Sequence, residues 1–233
     1  MITRLPASWL NHNGNIKRNS KKRKSTPREV PDRAYPQDVA FYNTCGGCDF
    51  GVLALDLGIQ TGWALGKYGS HHDGSHDYGG GHNGGVRMPY LEGGTHSNQH
   101  PDKRKQYTKF HHFLTNMYHT CKKHNLHFLR VYYEKVMHHT GIYAAHTYGG
   151  FEALLMAWCD INHMDLIGMV PTEIKKRVTG NGHASKENMM QTSSMLWKDV
   201  ALDDHNHADA LCLLHIALSC EAQKLNELNT KKG

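Results

Sequence analysis

The sequence predicts an α/β domain built on a mixed sheet. Two short strand-like runs come first, one at 52–57 bounded by glycine and one at 61–66. Later apolar runs then alternate with segments of helical period. The 233 residues suit one ordinary domain with a tail, long enough to bury a real core.

Residues 1–33 hold nine basic and two acidic residues and few large apolar ones. The run KRNSKKRKSTPR marks them as a disordered polybasic arm, extending to residue 48. Such an arm suits non-specific phosphate contact, with a nuclear address as a weaker reading. The folded domain is expected over 49–225. VLALDL, between Gly51 and Gly58, reads as a buried strand, and TGWALG as its partner across a tight turn. Gly, His, Ser and Asp dominate 69–101, predicting a long flexible loop around a weak third strand at 86–91. Tyr107, Phe110, Phe113, Leu114 and Met117 recur at helical spacing within 102–124. LHFLRVYY predicts a strand ending at Glu134. An apolar helix follows within 142–161, then a strand at 164–170 stopped by Pro171. A short basic helix over 172–178, the loop GNGHAS, a helix over 186–197 and a last helix over 206–225 complete the domain. Residues 226–233 read as a flexible C-terminus.

The formal net charge is +6, but the arm leaves 18 of the 27 basic and 19 of the 21 acidic residues for the rest of the chain. The body is therefore near neutral. No stretch approaches ~18 consecutive apolar residues, so no membrane span is expected. No charged segment leads into an apolar run with a cleavage site, so a cytoplasmic location is expected. Six cysteines are too sparse for a disulfide scaffold. Cys45 and Cys48 have zinc-site spacing but no second pair nearby, and the His-rich loop reads as a low-complexity insertion rather than a zinc site. His146 and His215 read as packed core residues.

Three carboxylates stand out by position. Asp56 lies within an apolar strand, Glu134 ends a strand, and Asp209 lies in HNHADALCLL near a helix start. Singly, each has an ordinary explanation: a turn hydrogen bond, a surface ion pair, a helix cap. Together they suggest a metal centre, because a buried carboxylate must be paired or bind a cation.

VLALDLGIQTGWAL, VYYEKVMHHTG, AAHTYGGF, PTEIKKRVTGNGHASKENM and HNHADALCLL, in that order, resemble the successive blocks of RuvC-like Holliday-junction resolvases, closest to the phage-type branch. The resemblance covers roughly residues 50–222 and implies an RNase H-like fold, a five-stranded mixed sheet flanked by helices. It implies a metal-dependent nuclease cleaving branched DNA such as four-way junctions, acting as a homodimer. Asp56, Glu134 and Asp209 match the family's acids and would hold two Mg²⁺ ions, with Mn²⁺ able to substitute. The family's fourth acid, one helical turn earlier, is missing. His205 and Asn206 stand there, so His205 is a candidate ligand and base and Asn206 a candidate ligand, with Asp204 just before as a third candidate that reaches if the helix begins late. DNA contact is implied for Lys175, Lys176, Arg177, Asn181 and Lys186. Tyr143, Tyr148, Gly149 and Gly150 are expected near the cleaved strand or the dimer partner.

Two other classes compete. Sugar-kinase and actin-like ATPases share a DxGxxTG turn, but need a second glycine-rich nucleotide turn and a longer chain. A non-catalytic junction-binding protein would account for the missing fourth acid.

Overall fold

The structure is a computed structural model that describes residues 50–68, 90–126 and 128–230. The expected basic arm, Cys45, Cys48 and the Gly/His-rich stretch at 69–89 lie outside those residues.

Five strands form one sheet: β1 (Phe50–Asp56), β2 (Gln60–Tyr68), β3 (Tyr90–Ser97), β4 (Phe128–Glu134) and β5 (Leu166–Met169). Their order is β3-β2-β1-β4-β5. β1–β2 and β2–β3 are antiparallel, while β1–β4 and β4–β5 are parallel. The mixed sheet expected from the sequence is therefore present.

Alternation along β1 assigns its two faces. Leu53 and Leu55 pack with Phe110, Phe113 and Leu114 of α1 (Lys103–Lys123) and Phe151 and Leu155 of α2 (Ile142–Ile161). Val52 and Ala54 pack on the other face with Leu211 and Leu214 of α5 (His205–Thr230), alongside α3 (Pro171–Thr179) and α4 (Lys186–Leu196). Asp56 shares the parity of Val52 and Ala54, and Glu134 that of Tyr132, so both belong to the α5 face.

Local chemistry sets the helix ends. Asp102 caps α1 by accepting from the Arg104 amide at 3.0 Å. Pro171 opens α3, which closes on Gly180 at φ 78°, a left-handed cap that suits glycine. Ser185 caps α4 by accepting from the Asn188 amide at 3.2 Å.

Three expectations need correction. The third strand runs Tyr90–Ser97, beginning within the expected 86–91 and continuing through residues read as loop, while 86–89 lie outside the described residues. Its glycines answer crowding rather than looseness: a Cβ on Gly93 would lie 2.8 Å from both His207 Nε2 and the Trp63 carbonyl oxygen. The last helix continues to Thr230, past Leu225 and into the segment read as flexible. His146 is exposed on α2 rather than packed in the core. His215 is packed as expected, edge-on to Trp197 at 6.4 Å, and burial lowers its pKa.

Candidate active site

The parallel register that pairs Leu55 with Tyr133 brings Asp56 and Glu134 to the carboxyl ends of neighbouring strands. Asp209 arrives from the first turns of α5, which lies across the same face. Burial raises all three acids, and Asp209 bears on the other two. Burial first, then Glu134 and Asp209, push the Asp56 carboxyl well above its ordinary value, while Lys186 pulls the other way. Burial and Asp209 push Glu134 up to about 7, against Lys175. Burial raises Asp209 too, against Lys175, His205 and Lys186. Desolvation makes these carboxylates reluctant to ionise, and a bound cation would reverse that preference.

Close approach of α5 to the sheet makes the arrangement possible. A Cβ on Gly62, beside Asp56 across β1–β2, would lie 2.0 Å from the Asn206 carbonyl oxygen. Only a glycine lets the start of α5 settle there. Asp204 then fastens it. Its Oδ1 accepts from the His207 amide at 3.0 Å and from Thr95 Oγ1 at 2.6 Å, which ties the cap of α5 to β3. Burial works against the Asp204 carboxylate, but these bonds and those from Asn206 hold its pKa below the ordinary value.

Two further clamps surround the acids, and neither was expected. Tyr148 Oη donates to the Glu134 carbonyl at 2.8 Å and accepts from the Val136 amide at 3.0 Å, pinning the chain just beyond Glu134. Fully buried Asn98 donates through Nδ2 to the Gly58 carbonyl at 3.0 Å and Thr61 Oγ1 at 2.9 Å, and its amide donates to the Ile59 carbonyl at 2.7 Å. That sets the turn after Asp56. Tyr148 had a sequence signal only as a neighbour of the Glu134 block. Asn98 had none, since its partners lie 37 and 40 residues away.

The structure thus groups Asp56, Glu134, Asp209, His205, Lys175 and Lys186 in one electrostatic neighbourhood. The other sequence candidates are engaged elsewhere or exposed. Asn206 Nδ2 donates to Asp204 at 3.2 Å. Arg177 pairs with Glu173 at 2.8 Å and donates to Cys220 Sγ at 3.4 Å. Asn181 accepts from its own loop through the His183 amide at 3.0 Å. Lys176 is exposed on α3. Tyr143 is exposed beneath the Lys103 ammonium, 4.3 Å from its ring centre, and Gly150 packs against Tyr107. Among the described residues, no three His, Cys, Asp or Glu side chains converge to metal-ligating spacing. Like charges repel at such spacing unless a cation joins them. The donor set still fits a hard divalent cation, since carboxylate oxygens are what such ions take.

The strand order, the acids at the carboxyl end of the parallel strands and the docked last helix define an RNase H-like α/β domain. Within that class the fold is RuvC-like. The chain resembles T. thermophilus RuvC in complex with a Holliday junction substrate, at 16% identity and a TM-score of 0.53, over 70% of this chain and 90% of that one. It also resembles a Thermus thermophilus RuvC structure at 15% identity and a TM-score of 0.50, with the same coverage. No protein-family model and no curated protein matches the chain. At these identities the likeness establishes the fold.

Proposed function

We propose that this protein is a divalent-metal-dependent endodeoxyribonuclease that cuts branched DNA, with four-way junctions as its substrate. One observation carries the reading. Three carboxylates from segments far apart in sequence gather at one end of a RuvC-like sheet, where burial raises the proton affinity of each and Asp56 also feels the charge of the other two. The solved RuvC complex holds a Holliday junction substrate, which supports branched DNA as the ligand.

Asp56, Glu134 and Asp209 would hold Mg²⁺, and the His205 imidazole would add a nitrogen donor that Mn²⁺ accepts more readily. Bound divalent ions supply activated water and offset charge on the leaving oxygen of a phosphodiester. The chain's own part is positional. Asp56 sits on a central strand, the Tyr148 clamp fixes Glu134, and the Asp204 cap fixes the start of the helix bearing Asp209. Lys175 and Lys186 attract a phosphate to the same mouth, and His205 can take up or return a proton at its ring nitrogen. A two-fold junction needs paired cuts, so the working form is a homodimer. The exposed apolar residues Ile142, Met156 and Ile161 of α2 suit that association.

The test is a cleavage assay on a synthetic four-way junction, a fork and a linear duplex, each with Mg²⁺ and with Mn²⁺. The expected result is paired nicks near the junction centre and none in the duplex. No cutting of any branched DNA with either ion would overturn the reading.

A further inference from the structure

Helix α1 carries Lys103, Arg104, Lys105, Lys109, Lys122 and Lys123, and no acidic residue along its 21 positions. In a body that is near neutral, this is a concentration of one sign. One face of the helix is apolar and buried, with Phe110, Phe113, Leu114, Met117 and Cys121 against the sheet. The outer face exposes Lys105, His112, Asn116, His119, Lys122 and Lys123. The nearest acids at either end are already engaged. Asp102 holds Arg104 at 2.9 Å, and Glu92 holds His124 at 2.8 Å.

Direction gives this face its meaning. β3 runs parallel to β1, so Ser97 ends at the same edge of the sheet as Asp56. Gln106 Nε2 donates to the His100 carbonyl at 2.8 Å and Lys109 Nζ to the Gln99 carbonyl at 3.2 Å, which seats the first turns of α1 at that edge. The helix then runs back along the sheet to the start of β4, at the opposite edge. Its 21 residues span about 30 Å at a rise of 1.5 Å. That length matches about nine base pairs of duplex.

We propose that the outer face of α1 is a phosphate track for one duplex arm of the DNA, starting at the end of the sheet that carries the acids but on the face opposite α5, and leading away from that end. It contacts backbone and not bases, so it adds affinity and arm orientation without sequence preference. This rests on the nuclease reading only for the choice of DNA as the ligand.

The experiment compares the full-length protein with Lys105→Ala/Lys122→Ala/Lys123→Ala, by anisotropy without divalent ions across a salt series. Junctions with arms of about 20 and about 6 base pairs are used, since the shorter arms end before the far end of the track. For long arms the triple variant's log K against log[salt] slope becomes shallower by about 2–3, close to 0.9 per lost phosphate contact. For short arms the slope changes by less than half of that. Asn116→Glu, a like-charge insertion at an exposed position, weakens long-arm binding with the same preference. Circular dichroism confirms that both variants fold. Equal slopes for wild type and variant on long arms would overturn the track, as would equal losses on both arm lengths; an acidic protein as the true partner gives the first of these. A protein that binds long arms through α1 yet cuts nothing sinks the nuclease reading and leaves the track standing. One that cuts normally while ignoring these lysines does the reverse.

Discussion

With burial and Asp209 holding Glu134 up to about 7, this carboxyl keeps much of its proton near neutral pH unless a cation is close. Its folded pKa lies above the ordinary 4.5, so the folded state favours the protonated form. The stability it contributes is present below about 4.5 and is lost as pH rises through about 7. Asp56 and Asp209 are raised as well and act in the same direction. Thermal melts without divalent ions should therefore show a Tm that falls from pH 5 to pH 7.5. Mg²⁺ or Mn²⁺ should flatten the fall, and Glu134→Gln should remove part of it. A Tm that rises over that range in chelator would contradict this. A second residue-level prediction separates the candidates for the fourth ligand. Asp204 is a helix cap, and Asn caps as well as Asp, so Asp204→Asn should melt close to wild type and keep most of its cleavage. His205→Ala should fold normally and lose about a hundredfold in rate, the scale of a missing proton-transfer group. The opposite pattern would make Asp204 the ligand.

At the scale of elements, the site depends on how α5 is held. Arg130 and Tyr132 of β4 both donate to Glu221 of α5, all three buried, and Arg130 also reaches Asp165 at 2.9 Å. Breaking a buried ion pair by removing one partner costs about 3–5 kcal/mol, so Glu221→Ala should lower urea stability by an amount of that order. An unchanged midpoint would show that this network does not anchor α5. At the other end of α5, Gly62→Ala forces a Cβ into the Asn206 carbonyl and should shift the start of the helix with Asp209. The expected result is a folded protein with cleavage down by about a hundredfold, the cost of displacing a catalytic group by about 1 Å. Wild-type cleavage by this variant would mean that close approach at Gly62 does not position the acid.

These elements also show what could be read without coordinates. The apolar runs of β1 and β4 and the period of α1 were legible because burial writes them directly into residue order. Asp56 and Glu134 were legible because a charge ending an apolar strand is conspicuous. β3 was legible only as a weak strand and not in its extent, since Gly93 and Gly94 look like loop residues until α5 is seen pressing His207 against the first of them. The Asn98 clamp was hidden for a related reason: a polar residue in a polar stretch gives no sign that its partners lie across the sheet. Arg177 pairs with Glu173 and Cys220, and the Cys220 contact was not legible because that residue lies 43 residues away.

For the whole molecule, charge is distributed by region. The acids gather at one edge of the sheet, Lys175 and Lys186 stand beside them, and α1 carries its cations away from that edge. The segment at 1–33, with nine basic residues, would add affinity of a sequence-independent kind. Deleting it should make the salt dependence of DNA binding shallower while leaving the preference for junction over duplex unchanged. A preference that vanished with the segment would assign recognition to it instead.

The nuclease reading meets its most direct test at Asp56, the acid on the central strand. Asp56→Asn keeps the shape of the side chain and removes the charge that would hold a metal ion. Binding and cleavage of one labelled four-way junction should be measured side by side, in Mg²⁺ and in Mn²⁺, for wild type and variant. The predicted result is junction binding close to wild type with no detectable cleavage in either ion. Undiminished cutting by Asp56→Asn would contradict the account.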